Sequence, residues 1–271
     1  MIVDIANHDC TIKWDGVYYF ALSDYPNISD WELRKLILFI EYEKKHDRET
    51  EIVCEDETII QSVNHALANP ALYLSAKKSD ILTECTACKQ GGCITDMLCH
   101  TASIEDAKSI FRCGKILSAV KARNKTGAEL AAEPRNAAGD PPDYFDSLMF
   151  AWGNCQAGDR LVMERKLGRG PDEYDLSDGF QPGVRFYFEY TAIENHAGFV
   201  YDGYHPAKVK DELSLLDCLY CCVIPESEKA EFERIVPPAL AERVLYVEHD
   251  CKDVWDWADK VYGVVCERKN Q

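Results

Sequence analysis

Two places in the 271-residue chain carry residue types whose spacing suits chemistry. The first is Cys85-Thr-Ala-Cys88, followed at five residues by Cys93 and then by Cys99 and His100. Two thiolates separated by two residues can clamp one metal ion, and Cys93 with Cys99 or His100 would complete the tetrahedral set that zinc prefers. No second pair at knuckle spacing accompanies Cys85, Cys88 and Cys93, so a loop of free thiols is the competing reading. The second place is Met97-Leu-Cys-His-Thr-Ala102, an apolar run whose polar pair, His100-Thr101, stands just before a helix start. A histidine at a strand-to-helix junction can face a cleft and donate or accept a hydrogen bond there. The plainer reading is a partly buried, hydrogen-bonded histidine of the interior.

The elements that position this pair are signposted. Ser103 is a good N-cap, Glu105 and Asp106 place negative charge in the first turn, and Ile104, Ala107, Ile110 and Phe111 recur at helical spacing. Gly114 supplies the left-handed residue that ends the helix. Downstream, residues 118–142 hold Lys121, Arg123, Lys125 and Arg135, a positive island in an acidic chain. A long loop of this composition is either a functional lid whose cations suit nucleotide phosphates or a solvated connection.

Composition narrows the class. The net charge of −17 disfavours nonspecific attraction to duplex nucleic acid or anionic membranes. No run of eighteen apolar residues occurs, and the N-terminus lacks a basic segment followed by an apolar one, so a cytoplasmic protein with reduced thiols is expected. Of the thirteen cysteines, Cys10, Cys54, Cys113, Cys218, Cys221, Cys222 and Cys266 lie in apolar surroundings and read as small buried hydrophobes.

Taken in order, residues 1–78 read as a small α/β lobe. Thr11–Trp14 and Val17–Leu22 flank the turn pair Asp15-Gly16, Ser29 and Glu32 form a capping box, and a short strand at 51–55 leads to a helix that stops at Asn69-Pro70. Residues 79–96 are the cysteine-bearing linker. Residues 97–271 form the larger domain, with strands expected at 159–165, 183–190, 219–225 and 243–247, helices at about 226–235 and from Val254 on, and loops between. The class is mixed α+β with many short strands.

A strand delivering His-Thr, a short helix, Gly-x-Ile-Leu, a basic loop, Asp143-Tyr-Phe145 with further aromatics, and a late apolar strand ending in Val223-Ile-Pro225 resemble an ADP-ribosyltransferase. The likeness covers residues 97–248 and points to the DarT-like and tRNA 2′-phosphotransferase branches, whose first strand presents a histidine to NAD. It implies split mixed and antiparallel sheets with flanking helices, and transfer of ADP-ribose to an acceptor that the sequence does not name. Cleavage of the nicotinamide–ribose bond builds an oxocarbenium-like centre that a nearby carboxylate stabilises. On this resemblance His100 and Thr101 bond the ribose or carboxamide, Tyr144, Trp152 and Tyr187 are the stacking candidates, and Arg123 or Arg135 holds the pyrophosphate. The family's glutamate is missing from its usual strand, where Cys221 stands instead. The nearest acids upstream are Glu212, ranked first because it opens an apolar run after the loop at 204–208, and Asp217. A non-catalytic regulatory or interaction protein with a zinc or thiol loop is the second reading, and a Cys–His hydrolase, for which no cysteine has a nucleophile signature, is the third.

Overall fold

The computed structural model describes residues 1–8, 11–74, 97–133 and 139–269. The Cys85, Cys88 and Cys93 triplet, Cys10 and Arg135 lie outside the described residues. The chain divides into two compact units: Met1–Cys93 with Ala131–Pro142 and Tyr201–His205, and Ile94–Leu130 with Asp143–Val200 and Pro206–Gln271. Two segments that sit within the 97–271 span in sequence therefore belong with the first unit. Among the described residues no helix is long and apolar enough to cross a membrane.

The first unit is a four-stranded sheet in the order β2-β3-β1-β4, with β1 at Ile2–Ala6, β2 at Ile12–Trp14, β3 at Val17–Ala21 and β4 at Glu51–Val53. The β2–β3 hairpin turns on Asp15 and Gly16, both at positive φ, as an Asp-Gly pair allows. β1 runs parallel to both β3 and β4. Helix α1, Asp30–Lys45, begins at the capping box: the Glu32 carboxylate accepts from the Ser29 amide at 2.9 Å and from the Ser23 amide at 2.7 Å. Those bonds let a carboxylate sit almost wholly buried at a helix start. α1 and α2, Glu57–Ala68, pack Leu33, Leu36, Ile37, Phe39, Ile59 and Val63 onto Val3, Ile5, Tyr18 and Phe20 of one sheet face.

The second unit holds a seven-stranded sheet, β13-β12-β8-β5-β7-β10-β9, and a two-stranded one, β11-β6. The spans are β5 Met97–Ala102, β6 Lys115–Leu117, β7 Ser147–Trp152, β8 Val184–Glu189, β9 Phe199–Val200, β10 Ala207–Lys210, β11 Glu212–Ser214, β12 Cys221–Pro225 and β13 Val244–Val247. All the neighbours in the larger sheet are antiparallel except β12 and β13. α3, Ile104–Cys113, has Ser103 as N-cap and Gly114 at φ +73, as its sequence demands. One face of the sheet carries Met97, Cys99, Tyr187, Cys221 and Val223 beneath α4, Ala157–Leu167, and α5, Val254–Lys269, whose Trp257, Val261 and Val265 are fully buried.

Three expectations fail locally. Residues 159–165 are helical, within α4: Leu161, Val162 and Met163 look like a strand core, but only Met163 faces inward, one turn from Asp159. The Arg, Leu, Met, Glu and Lys content then favours helix. The 118–142 stretch is not one loop. Ser118 caps a helix at Ala119–Arg123, and the Glu129 carboxylate accepts from the Thr126 amide at the start of a second, Gly127–Ala131. Cys113 is exposed, because the inward stripe of α3 is Ala107 and Phe111.

The first unit depends on one close approach. Gly203 adopts φ +75, and a Cβ built there lies 2.4 Å from both the Lys35 carbonyl oxygen and the Phe39 amide nitrogen of α1. Gly203→Ala is expected to destabilise the unit by more than about 2 kcal/mol, since both conformation and space forbid the methyl. Urea denaturation of the full chain measures it, and an unchanged midpoint would show that residues 201–205 are not seated on α1.

Candidate functional site

The sheet of the second unit forks at β5. β5 is bonded to β8 along its whole length, from Met97–Glu189 to Ala102–Val184, but to β7 only at Leu98–Trp152 and Cys99–Ala151. Beyond Cys99 the two strands part, and His100 is the first residue inside the fork. Its Nδ1 lies 3.3 Å from the Met149 carbonyl oxygen on β7. A carbonyl only accepts, so Nδ1 carries the proton and the neutral ring keeps Nε2 as an acceptor. The ring meets Phe150 edge-on at 6.1 Å. Burial holds the His100 pKa below the ordinary histidine value.

Strand geometry separates the adjacent pair. Successive side chains point to opposite faces, so Thr101 shares its face with Cys99, and their Oγ1 and Sγ are 3.9 Å apart. The first turn of α4 closes over Thr101, where a Cβ on Gly158 would come within 2.5 Å of its Oγ1. His100 and Thr101 therefore do not converge on one ligand.

Under α4 lies a fully buried ion pair. Arg185, on β8, is fully buried and paired with Asp159, itself 1 % exposed, at 2.5 Å from Nη2 to Oδ2 and 3.1 Å from Nε to Oδ2. Nη2 also donates to the Cys155 carbonyl at 2.9 Å, and Nη1 donates to the Gly153 carbonyl at 3.2 Å and the Tyr187 hydroxyl at 3.3 Å. Every N–H of the guanidinium thus has an acceptor, the condition under which a buried charge is tolerated. Burial pushes the Asp159 carboxyl up and the guanidinium opposes that shift. It also pushes the neighbouring Cys99 thiol up to about 11, away from thiolate chemistry.

The other candidates are distributed as follows. Tyr187 is fully buried within the Arg185 network, with its hydroxyl engaged there. Trp152 is half-buried opposite Leu98, on the His100 face, and its ring lies 5.9 Å from Tyr190. Tyr144 is fully buried under Lys208, whose Nζ sits 3.8 Å from the ring centroid. Arg123 is exposed at the end of its short helix. Glu212, on β11, is held by Lys115 at 2.5 Å and Lys121 at 3.3 Å, which lower its pKa. Asp217 is exposed, its amide bonded to the Ser214 hydroxyl at the start of the Leu215–Cys218 turn. Cys221 faces the buried core beside Tyr187, and burial pushes its thiol up to about 12. The fold thus groups His100 with Trp152 on one sheet face, Thr101 with Tyr187 on the other, and sets Glu212 apart in the two-stranded sheet.

The Arg185–Asp159 pair went unread in the sequence, yet it had a signal. An arginine inside Val184-Arg-Phe-Tyr-Phe188, between residues that must be buried, requires an anion brought by another element. No family model, curated protein or solved structure matches this chain.

Two outcomes follow from this geometry. Asp159→Asn leaves the guanidinium buried without its counter-charge and is expected to cost about 3–5 kcal/mol, measured by chemical denaturation; a loss under about 1 kcal/mol would mean that the site admits water. The second concerns acid. His100, and His249 between the Phe180 and Trp257 rings at 5.5 Å each, are both held below the ordinary pKa by burial. The unfolded chain then binds protons first, so this stabilisation is complete above roughly pH 6.5 and is lost as the pH falls toward the folded values. The Tm is expected to drop between roughly pH 7 and pH 5, and to drop less in His100→Gln. Parallel curves for the two proteins would show that His100 protonates as readily folded as unfolded.

Proposed function

We propose that the second unit is a nucleotide-binding domain of the ADP-ribosyltransferase-like kind, and that NAD or ADP-ribose is its ligand, taken at the fork between β5 and β7. The observation that carries this reading is His100: the ladder to β7 ends one residue before it, and its Nδ1–H is committed to the Met149 carbonyl. The tautomer so fixed turns Nε2 into an acceptor for a ribose hydroxyl or a carboxamide N–H. Trp152, on the same face and half-buried, is the stacking partner for a base ring.

Transfer needs more than binding. A carboxylate must reach the ribose as positive charge develops, and Glu212 is engaged by two lysines in the ground state. In this reading Glu212 serves only after exchanging one of those ion pairs for the substrate, with Asp217 the next acid in line. Ligand binding is the part of the function the geometry supports best.

A thermal shift assay on the full chain decides it. A ligand that binds the folded state alone stabilises it by about 2.7 kcal/mol at a hundredfold excess over Kd. NAD or ADP-ribose is expected to raise the Tm, His100→Ala to abolish the rise, and Glu212→Gln to keep it while nicotinamide release falls at least about a hundredfold. No shift with either nucleotide at roughly 5 mM ends the proposal.

A further inference from the structure

Among the described residues, one face of the first unit's sheet has no helix packed on it, and His8 lies over part of it, its ring 5.3 Å from Tyr19 and its Nε2 3.4 Å from the Asp4 carboxylate. In strands, alternate residues share a face, and the registers place two rows side by side across all four strands: Trp14, Val17, Ile2 and Glu51 in one, Ile12, Tyr19, Asp4 and Val53 in the next. Trp14 is 53 % exposed, Val53 43 %, Ile2 39 % and Ile12 39 %. The opposite face, with Val3, Ile5, Tyr18 and Phe20, is the one that α1 and α2 cover.

Two properties of this surface define what covers it. All-parallel sheets occur almost only with helices on both faces, and doubly covered sheets often carry one antiparallel edge strand; here β1 is parallel to both of its neighbours and β2 is the antiparallel edge. The layer that suits this open face is therefore helical. The face also carries two carboxylates, Asp4, which has His8 beside it, and Glu51, and neither lysine nor arginine; Lys13, the one cation of these four strands, is turned to the other side and is 2 % exposed. A complementary helix presents an apolar stripe flanked by Lys or Arg. A second copy of the chain would oppose acid to acid. The two rows span about 14 Å between outer strands, a patch that a three-turn helix about 10 Å across covers, well short of the roughly 800 Å² each partner of a stable dimer buries.

We propose that this face is a docking site for a cationic amphipathic helix of a partner protein, which completes a helix–sheet–helix sandwich on the first unit. Trp14 and Ile12 are its anchors, and Asp4 and Glu51 select the charge of the incoming helix.

The probe is a fluorescein-labelled 15-residue peptide with a leucine stripe and lysines elsewhere, added to the full chain at about 0.15 M salt. Its controls are the same composition scrambled and a version with glutamate for lysine. Binding is read by anisotropy. The amphipathic lysine peptide is expected to bind, with the two controls and the Trp14→Ser/Ile12→Ser protein at least about tenfold weaker. Asp4→Asn with Glu51→Gln, which keeps side-chain size and the apolar rows, is expected to lose affinity for the lysine peptide and to narrow its advantage over the glutamate version. Equal binding to the scrambled peptide, or to the Trp14→Ser/Ile12→Ser protein, would reduce the effect to diffuse charge and overturn the proposal. So would a dimer in sedimentation velocity that Trp14→Ser dissolves, or a Trp14 that acrylamide fails to quench in the peptide-free chain, since either means another occupant already holds the face.

Discussion

A guanidinium buried in the middle of a sheet sets the terms for the second unit. Arg185 cannot lose its proton, and its desolvation is offset only if each N–H finds an acceptor. Those acceptors come from three places: the Asp159 carboxylate on α4, the Gly153 and Cys155 carbonyls in the turn after β7, and the Tyr187 hydroxyl on β8. The turn and the helix start are thereby tied to the sheet. With that turn fixed, Gly153 lies so close to α5 that a Cβ would fall 2.2 Å from the Tyr262 ring, and Gly158 lies on Thr101. Such a pair adds little net stability over an apolar replacement, but removing one member exposes the full cost of the other. The pair ties the start of α4 to β8, with Gly158 against Thr101 of β5.

The fork follows from what that arrangement leaves on β5. Covered on one face by α4, the strand keeps β8 as a complete partner and gives up β7 after two positions. The Met149 carbonyl, beyond the last β5–β7 pair, accepts from the His100 ring N–H at 3.3 Å. This bond orients the ring and fixes its tautomer. It also explains why His100 and Thr101, neighbours in sequence, serve different surroundings: one bridges the fork, the other lies beneath α4.

Much of this was legible because its signals are local. Asp15-Gly16, the Ser29–Glu32 box, Ser103 with Gly114, and the spacing of Val254, Trp257, Ala258 and Val261 each declare an element within one or two turns of chain. What was not legible depends on partners far away. Asp159 and Arg185 are 26 residues apart, and Glu212 finds Lys115 across 97. No spacing rule announces either pair. The helix at 157–167 was hidden for another reason: three consecutive apolar residues satisfy a strand pattern as readily as one helical face. The separation of His100 from Thr101, by contrast, needed only the two-residue period of a strand, once the strand was known to continue through Ala102.

The first unit inverts the usual polarity at β2. Lys13 points inward and Ile12 and Trp14 point out, although a one-residue slip of that strand would bury both apolar side chains and free the lysine. The hydrophobic effect alone favours the slipped register by roughly 25 cal/mol for each Å² of apolar surface removed from water. What opposes it is polar and specific. The Lys13 ammonium lies 2.5 Å from Asp140 and 5.3 Å from the centre of the Tyr204 ring, while its amide donates to the Tyr204 hydroxyl at 3.1 Å. Asp140 and Tyr204 belong to 131–142 and 201–205, the two segments by which the rest of the chain enters this unit. The inverted strand is thus the clasp for both segments, and a slip would take the cation away from two half-buried polar anchors. Outward-facing tryptophan and isoleucine are the consequence of that clasp, and a partner that covers them recovers the burial that the register gives up.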